Sequence, residues 1–270
     1  MIFDTHAHLN FFEFEKDREE MIEKCLKEGI GMINAGTNLK SSKKAIEIAE
    51  NNQHVFASIG LHPLNIDSEF LKNKGYSGEA EGVLEKDLDY NAYKSLKTEK
   101  VVAVGEIGLD YWYRPKSEAK KELFKQEQKR IFEKQLDLAE ELNLPVIIHC
   151  RAAFDDLYGI LSQRKTKGVL HCFTGNKDEA DRFSALGLYF GINGIIFKMD
   201  LKEAIESIPL EKILIETDCP YLSPPGFGER NNPLALKDIV REIALIKGVS
   251  EEEVREKTTE NAIELFNIGA

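Results

Sequence analysis

The sequence lacks the features that mark secreted and membrane-spanning proteins. Its 270 residues contain only four cysteines, widely scattered and in no C-x-x-C pair, as suits reduced thiols in a reducing compartment. No apolar run approaches the roughly 20 residues that a membrane helix requires. The N-terminus also lacks the basic-then-apolar pattern of a signal peptide. We therefore expect a cytoplasmic protein without membrane association, and nothing in the sequence points to an obligate protein partner.

Positive charge is also in short supply. The 36 lysines and arginines face 47 aspartates and glutamates, which leaves a formal net charge of −11. This balance argues against a protein that coats nucleic acid through a broad basic face. It does not exclude an enzyme that meets phosphates locally, because a bound divalent metal can be the largest positive charge in a site.

The chain does contain eight short β-rich apolar runs, each followed by an amphipathic helical stretch. Near-continuous apolar runs are typical of parallel strands covered on both faces, and unbroken β/α alternation indicates one parallel sheet. We predict a single (β/α)₈ TIM barrel spanning residues 1–270 with an additional C-terminal helix; a doubly wound open sheet is the alternative. Helices are expected near 16–28, 39–51, 82–96, 117–142, 153–164, 176–186, 201–208 and, as a pair, within 233–266.

Polar residues gather where these predicted strands end. Five of the six histidines occupy such positions, and only His54 precedes its strand, near the opposite face. A single histidine after a strand is ordinarily a hydrogen-bonded core residue, but burying many polar, partly anionic groups together is costly without compensation. A divalent metal centre supplies that compensation. The candidate ligands are His6 and His8 after strand one, Glu106 closing strand four, His149 and His171 closing strands five and six, and Asp218 after strand eight.

Six ligands are more than one catalytic ion needs, because such an ion takes about three protein ligands plus water or substrate. Two divalent ions fit the set if one carboxylate bridges them, and Glu106 lies midway around the barrel. We expect His6, His8 and Asp218 to hold the first ion, and His149 and His171 to hold the second. Imidazole-rich, carboxylate-bridged sites suit Zn, Mn, Fe or Ni and accept Mg, so the residue types do not select the metal.

Six motifs carry a family resemblance. In order, "DTHAHL", "IGLHP", "GEIGLDY", "PVIIHCR", "LHCFTG" and "ETDCPYLSP" resemble the successive signatures of TatD-related metal-dependent deoxyribonucleases. The resemblance spans nearly the whole chain. It implies a TIM-barrel hydrolase acting on DNA phosphodiesters, with metal ligands at the same six positions. One departure concerns "SPPGFGERNNP", which is one residue shorter than the loop common in relatives and lacks its first arginine; Arg230 and Asn231 are retained.

The expected chemistry is attack by metal-activated water. Asp218 and Glu106 are the catalytic candidates, with Asp218 orienting or deprotonating the water. Glu216, on the same strand face as Asp218, either supports a ligand or is a buried carboxylate paired with a basic neighbour.

Several other residues are candidates for contacting substrate. His62, Arg151 and Arg230 are expected near substrate phosphate, although Arg151 also suits a surface residue that opens helix five. Trp112, with Tyr111 and Tyr113, forms either a stacking platform for bases or a hydrophobic lid over the barrel rim.

Two rival functions stay open at this point. One is an amidohydrolase-like metal hydrolase of a small ester, amide or lactone, because fold alone does not separate such reactions. Many of those enzymes bridge their metals with a modified lysine at the end of strand four, where this chain has Glu106. The other is a non-catalytic metal-binding interaction protein. Open coordination positions argue against this second rival.

Overall fold

The computed structural model describes residues 1–67, 83–112 and 114–269, and its eight strands form one sheet in sequence order. Every neighbouring pair of strands is parallel. The strands are β1 (Ile2–Ala7), β2 (Ile30–Ala35), β3 (Val55–Ile59), β4 (Val101–Asp110), β5 (Val146–Arg151), β6 (Gly168–Leu170), β7 (Tyr189–Ile192) and β8 (Ile213–Ile215). A doubly wound sheet requires a point at which the strand order reverses. This sheet has no such reversal, so the predicted barrel is confirmed.

Backbone hydrogen bonds bring the first and last strands together. Just beyond β8, the Asp218 N–H donates to the His6 carbonyl (2.9 Å), and the His8 N–H donates to the Cys219 carbonyl (3.0 Å). The bonds that join the two ends of the sheet therefore also set three predicted metal ligands side by side.

Helices follow the strands and cover the outside of the barrel. They are α1 (Arg18–Lys27), α2 (Leu39–Glu50), α3 (Tyr90–Lys94), α4 (Glu118–Leu142), α5 (Phe154–Leu161), α6 (Lys177–Ala185), α7 (Lys202–Ser207), α8 (Leu236–Lys247) and α9 (Glu251–Phe266). Among the helices of these described ranges, none is both long enough and apolar enough to cross a membrane.

The additional C-terminal helix, α9, closes one end of the barrel. Its buried Leu265 and Phe266 belong to the same apolar cluster as Phe3 and Leu214, which lie near the N-terminal ends of their strands. Because this end is filled with apolar side chains, the open mouth lies at the C-terminal ends of the strands, where barrel chemistry takes place.

Two elements differ most from the expected bounds. Helix α3 is only five residues long because Glu85 forms a bridge with Ile66 and the Asp89 side chain caps the helix by accepting from the Ala92 N–H; the expected start at residue 82 lies outside the described residues. The expectation that strand four ends at Glu106 is wrong. A register shift lets β4 continue past it to Asp110.

Candidate metal centre and active site

Glu106 lies at the centre of the barrel mouth. Its backbone N–H donates to the Gly36 carbonyl (2.7 Å) at the register shift in β4. Five imidazoles surround the buried carboxylate. Its Oε1 is 2.9 Å from His149 Nδ1, 3.3 Å from His62 Nε2 and 3.5 Å from His171 Nε2, while Oε2 is 3.4 Å from His6 Nε2 and 3.8 Å from His8 Nε2. Each oxygen thus faces its own set of ring nitrogens.

Asp218 provides a second carboxylate beside the first histidine pair. Its Oδ1 is 3.4 Å from His8 Nε2 and 3.7 Å from His6 Nε2. The structure therefore brings all six predicted ligands together. Three groups have ligand atoms within 4.8 Å of one another: His6, His8 and Glu106; His6, His171 and Asp218; and His62, Glu106 and His149. His171 thus lies near the first-ion set as well, and His62 accompanies His149.

Hydrogen bonds fix how two of these histidines present their rings. His8 Nδ1 lies 3.2 Å from the Ala35 carbonyl, and His171 Nδ1 lies 2.9 Å from Glu216 Oε1. Both partners only accept, so in the neutral ring each Nδ1 carries the proton and each Nε2 lone pair faces a carboxylate, that of Asp218 for His8 and that of Glu106 for His171. This is the arrangement of metal-binding histidines, whose other ring nitrogen is held by a carbonyl or carboxylate.

His149 is held the opposite way round. Its Nε2 lies 3.1 Å from Asp110 Oδ2 and its Nδ1 lies 2.9 Å from Glu106 Oε1, so Asp110 would hold the ring N–H when Nδ1 binds a metal ion. Gly108, at φ 146°, permits the contact, because a Cβ there would lie 2.0 Å from the His149 carbonyl oxygen. Asp110 is absent from the sequence prediction. Its place four residues after Glu106, on the same face of an extended strand, is the signal that the assumed strand end concealed.

Asp110→Asn should weaken divalent-metal affinity about 10- to 100-fold, the usual cost of losing a group that orients a ligand. The amide offers a donor as well as an acceptor, so the tautomer of His149 is no longer fixed. Metal titration followed by calorimetry measures the effect. Asp87→Asn, a surface carboxylate paired with Arg130 and Lys134, is the matched control. Equal affinity in both variants would contradict the orienting role.

His62 differs from the other four histidines around Glu106. Its Nδ1 accepts a hydrogen bond from the Leu64 N–H (3.1 Å), so in the neutral ring the proton resides on Nε2. His62 therefore presents an N–H to the centre rather than a lone pair. This suits the prediction that it contacts substrate better than a role as ligand.

The charges around the centre favour a bound cation. Burial alone raises the pKa of Glu106, but His62 and His171 foremost hold it well below its usual range. Burial opposes protonation of His149, yet hydrogen bonds to Asp110 and Glu106 raise its pKa to about 10. In His171, burial is likewise outweighed by two nearby glutamates, and the pKa rises to about 9. The carboxylates thus draw protons onto the rings, and divalent ions satisfy the same demand while leaving the imidazoles neutral.

Glu216 supports His171 from inside the barrel. Its Oε1 accepts from the Cys172 N–H (2.8 Å) and the Asn193 side-chain amide (2.9 Å) as well as from His171. A Cβ on Gly191 would lie 2.2 Å from Oε2, so β7 makes room for the carboxylate. Glu216 is thus both a support for a ligand and a buried carboxylate with a basic neighbour, because that neighbour is the candidate ligand His171.

Asp4 links the ligand-bearing ends of the barrel, and sequence analysis did not single it out. Its carboxylate accepts from the Thr217 N–H (2.9 Å), the Thr217 hydroxyl (2.5 Å) and the His6 N–H (3.2 Å). Burial raises its pKa to about 7. Asp4 therefore ties β1 to the segment that carries Asp218.

The two arginine candidates lie in different settings. Arg151 ends β5 on the exposed side of the mouth, with its guanidinium 5.0 Å from the centre of the Trp112 ring. Arg230 instead pairs with the Asp17 carboxylate and donates to the Glu13 carbonyl (2.6 Å). Its guanidinium thus ties the loop after β8 to the loop after β1.

The remaining residues singled out in the sequence differ in their burial and in their distance from the mouth. Asn231 is buried and donates to the Thr217 (2.9 Å) and Tyr221 (2.7 Å) carbonyls, so it shapes the loop after β8. Tyr111 is buried whereas Trp112 is exposed, and Tyr113 lies outside the described residues. His54 precedes β3, away from the mouth, as expected.

An eight-stranded α/β barrel with this imidazole–carboxylate cluster at its mouth defines the class of metal-dependent TIM-barrel hydrolases. The model of the TatD related DNase family matches residues 3–267, and the chain belongs to this family. It is a metal-dependent hydrolase of the TatD family.

Two relatives and one solved structure show how closely the chain fits this family. The chain is 37% identical to the uncharacterized metal-dependent hydrolase YabD of Bacillus subtilis, over 99% of this chain and 100% of that protein. It is 33% identical to the 3'-5' ssDNA/RNA exonuclease TatD of Erwinia tasmaniensis, over 99% and 100%. The crystal structure of YJJV, a TatD homolog from Escherichia coli, superposes with a TM-score of 0.83 at 29% identity and covers 99% of this chain and 98% of that one.

Proposed function

We propose that this protein is a deoxyribonuclease that hydrolyses DNA phosphodiester bonds at a centre of two divalent ions. The observation that carries the proposal is the Glu106 carboxylate, whose two oxygens face two separate sets of imidazoles within 3.8 Å. The name of the Erwinia relative, an exonuclease for single-stranded DNA and RNA, supports a nucleic-acid substrate.

The proposed ligands divide at Glu106. On the Oε2 side, His6 and His8 lie with Asp218 and suit the first ion. On the Oε1 side, His149 and His171 suit the second. The proton-holding partners Asp110 and Glu216 support this division, because each directs the free ring nitrogen of its histidine toward the same carboxylate oxygen.

When bound, the ions supply an activated water and polarise a phosphoryl oxygen. Asp218 is proposed to orient the attacking water and accept its proton. Burial raises the pKa of its carboxyl, but His171 and the first histidine pair lower it below its usual value, so the group is ionised and can orient the water by accepting a hydrogen bond. His62 is proposed to donate a hydrogen bond from its Nε2–H to a substrate oxygen.

Contacts to the rest of the substrate are few, in keeping with the net charge of −11. Arg151, at the edge of the mouth, is proposed to pair with a substrate phosphate. Arg230 is already engaged by Asp17, so we assign it to anchoring the substrate-facing loop rather than to direct phosphate contact. Affinity for DNA is expected to fall less steeply with salt than that of a strongly basic protein, because fewer phosphates are neutralised.

The proposal is tested by a cleavage assay on single- and double-stranded oligonucleotides beside a panel of small esters, amides and lactones. With Mg or Mn, we expect DNA cleavage that stops on addition of chelator and returns when metal is restored. Turnover of one small substrate with every nucleic acid inert would move the assignment to the amidohydrolase-like rival. Metal binding without any turnover would favour the interaction protein.

A further inference from the structure

We infer that Trp112 is a stacking platform for an unpaired nucleobase beside the cleavage site. This inference rests on the proposed function, because it specifies how the same site holds its substrate. Trp112 is the single tryptophan of the sequence, and 61% of its surface is exposed. An aromatic ring left this open, in the strand-end loop next to a metal centre, has a large face available for a planar partner.

Two hydrogen bonds connect the Trp112 backbone to the candidate metal centre. Its N–H donates to Asp110 Oδ1 (2.9 Å), and Oδ2 of the same carboxylate holds His149 Nε2 (3.1 Å). The neighbouring Tyr111 N–H donates to the Arg151 carbonyl (2.8 Å). The backbone that carries the indole ring is therefore fixed to the ends of both β4 and β5. A base stacked on Trp112 would be held at a defined distance from the reacting phosphate.

The Arg151 guanidinium gives this platform a positive charge. It lies 5.0 Å from the indole centre, which is a cation–π distance. A nucleotide has a planar base and an anionic phosphate, and an aromatic ring beside a guanidinium offers a partner for each. Because the chain carries a net charge of −11, it has few phosphate contacts to offer, so stacking becomes a larger share of the affinity.

The neighbouring aromatic shows why only Trp112 is assigned. Tyr111 is buried, with Lys125 Nζ 4.7 Å from the centre of its ring. Tyr111 is therefore packed against the barrel, which fits the alternative of a hydrophobic residue covering the rim. Trp112 does not pack in this way. Duplex DNA covers both faces of each base, whereas a single strand leaves faces open to an exposed ring, so the platform selects unpaired bases.

The tryptophan's own fluorescence tests the inference directly. The Mg-loaded protein is titrated with a single-stranded phosphorothioate oligothymidylate, which resists hydrolysis, while fluorescence anisotropy of a dye on the oligonucleotide reports total binding. We expect saturable quenching of the tryptophan emission that tracks the anisotropy. An oligonucleotide of the same length with abasic residues should bind more weakly and leave the emission unchanged.

Kinetics supply the second readout. Trp112→Ala should raise KM for a single-stranded oligonucleotide about 5- to 150-fold, which is the usual worth of one stacked base converted to a ratio. KM for the abasic substrate should not change, and Trp112→Phe should recover most of the loss. Leu245→Ala, which removes a comparably exposed apolar side chain (70%) from α8, is the control for surface effects.

The outcomes separate the two proposals. Binding and cleavage of DNA without tryptophan quenching, or an equal rise in KM for the abasic substrate, would overturn the platform and leave the nuclease assignment in place. Absence of both oligonucleotide binding and cleavage would overturn the nuclease assignment, and the platform with it.

Discussion

Glu106→Gln should reduce DNA hydrolysis on the order of 10³-fold, the scale at which loss of one electrostatic stabilising group is felt, and more than any single histidine variant does. The amide keeps the shape of the side chain but removes the negative charge that both sets of imidazoles share. The amide N–H group also donates toward ring nitrogens whose lone pairs would otherwise bind the metal ions. Both ions should therefore loosen together, and metal content should fall with activity.

The measurement pairs steady-state turnover with elemental analysis of the dialysed protein. Circular dichroism checks that the barrel still folds. Glu141→Gln, at an exposed carboxylate that binds Lys94 and Tyr90 on the outside of the barrel, is the matched control and should change neither quantity. Near-normal turnover of Glu106→Gln with both ions bound would remove the bridging role from Glu106.

The position of Glu106 shows how much of the site follows from the sequence. In a parallel barrel, whatever follows the strands meets at one mouth. The recurrence of histidines and carboxylates after apolar runs therefore predicts that these side chains meet at the mouth. The backbone hydrogen bonds from Asp218 to the His6 carbonyl and from His8 to the Cys219 carbonyl are of the kind that joins the first and last strands in any closed barrel. No information specific to the metal was needed to bring these residues together.

Apart from Glu216, the positioning residues did not follow from the sequence, because they depend on register and tertiary contacts rather than on order along the chain. Asp110 reaches His149 only because β4 shifts register and then continues, and Gly108 allows the close approach. A period-two pattern does not reveal such a shift. The orientation of His62 depends on a single hydrogen bond from the Leu64 N–H. Arg230 forms an ion pair with Asp17, which lies far away in the sequence. These contacts are tertiary, and the residue types leave them open.

Metal stoichiometry provides the sharpest test of the two-ion centre. The intact protein, equilibrated with excess Mn or Zn, should bind two ions per chain, and the double variant His149→Ala/His171→Ala should bind about one. His149 Nδ1 and His171 Nε2 both face Glu106 Oε1. Their loss should empty that side, while His6, His8 and Asp218 retain the other ion. Elemental analysis after dialysis gives the count, and His54→Asn, a histidine away from the mouth, is the control.

The double variant also decides to which ion His171 belongs. Its ring stacks on that of His6 with 3.6 Å between ring centres, and its ligand atom groups with those of His6 and Asp218. If it served the first ion, the double variant would weaken both sites and retain little metal. Because Glu216 directs Nε2 of His171 toward the Glu106 carboxylate, we expect one ion to remain. A single ion in the intact protein, unchanged in the double variant, would contradict the two-ion centre altogether.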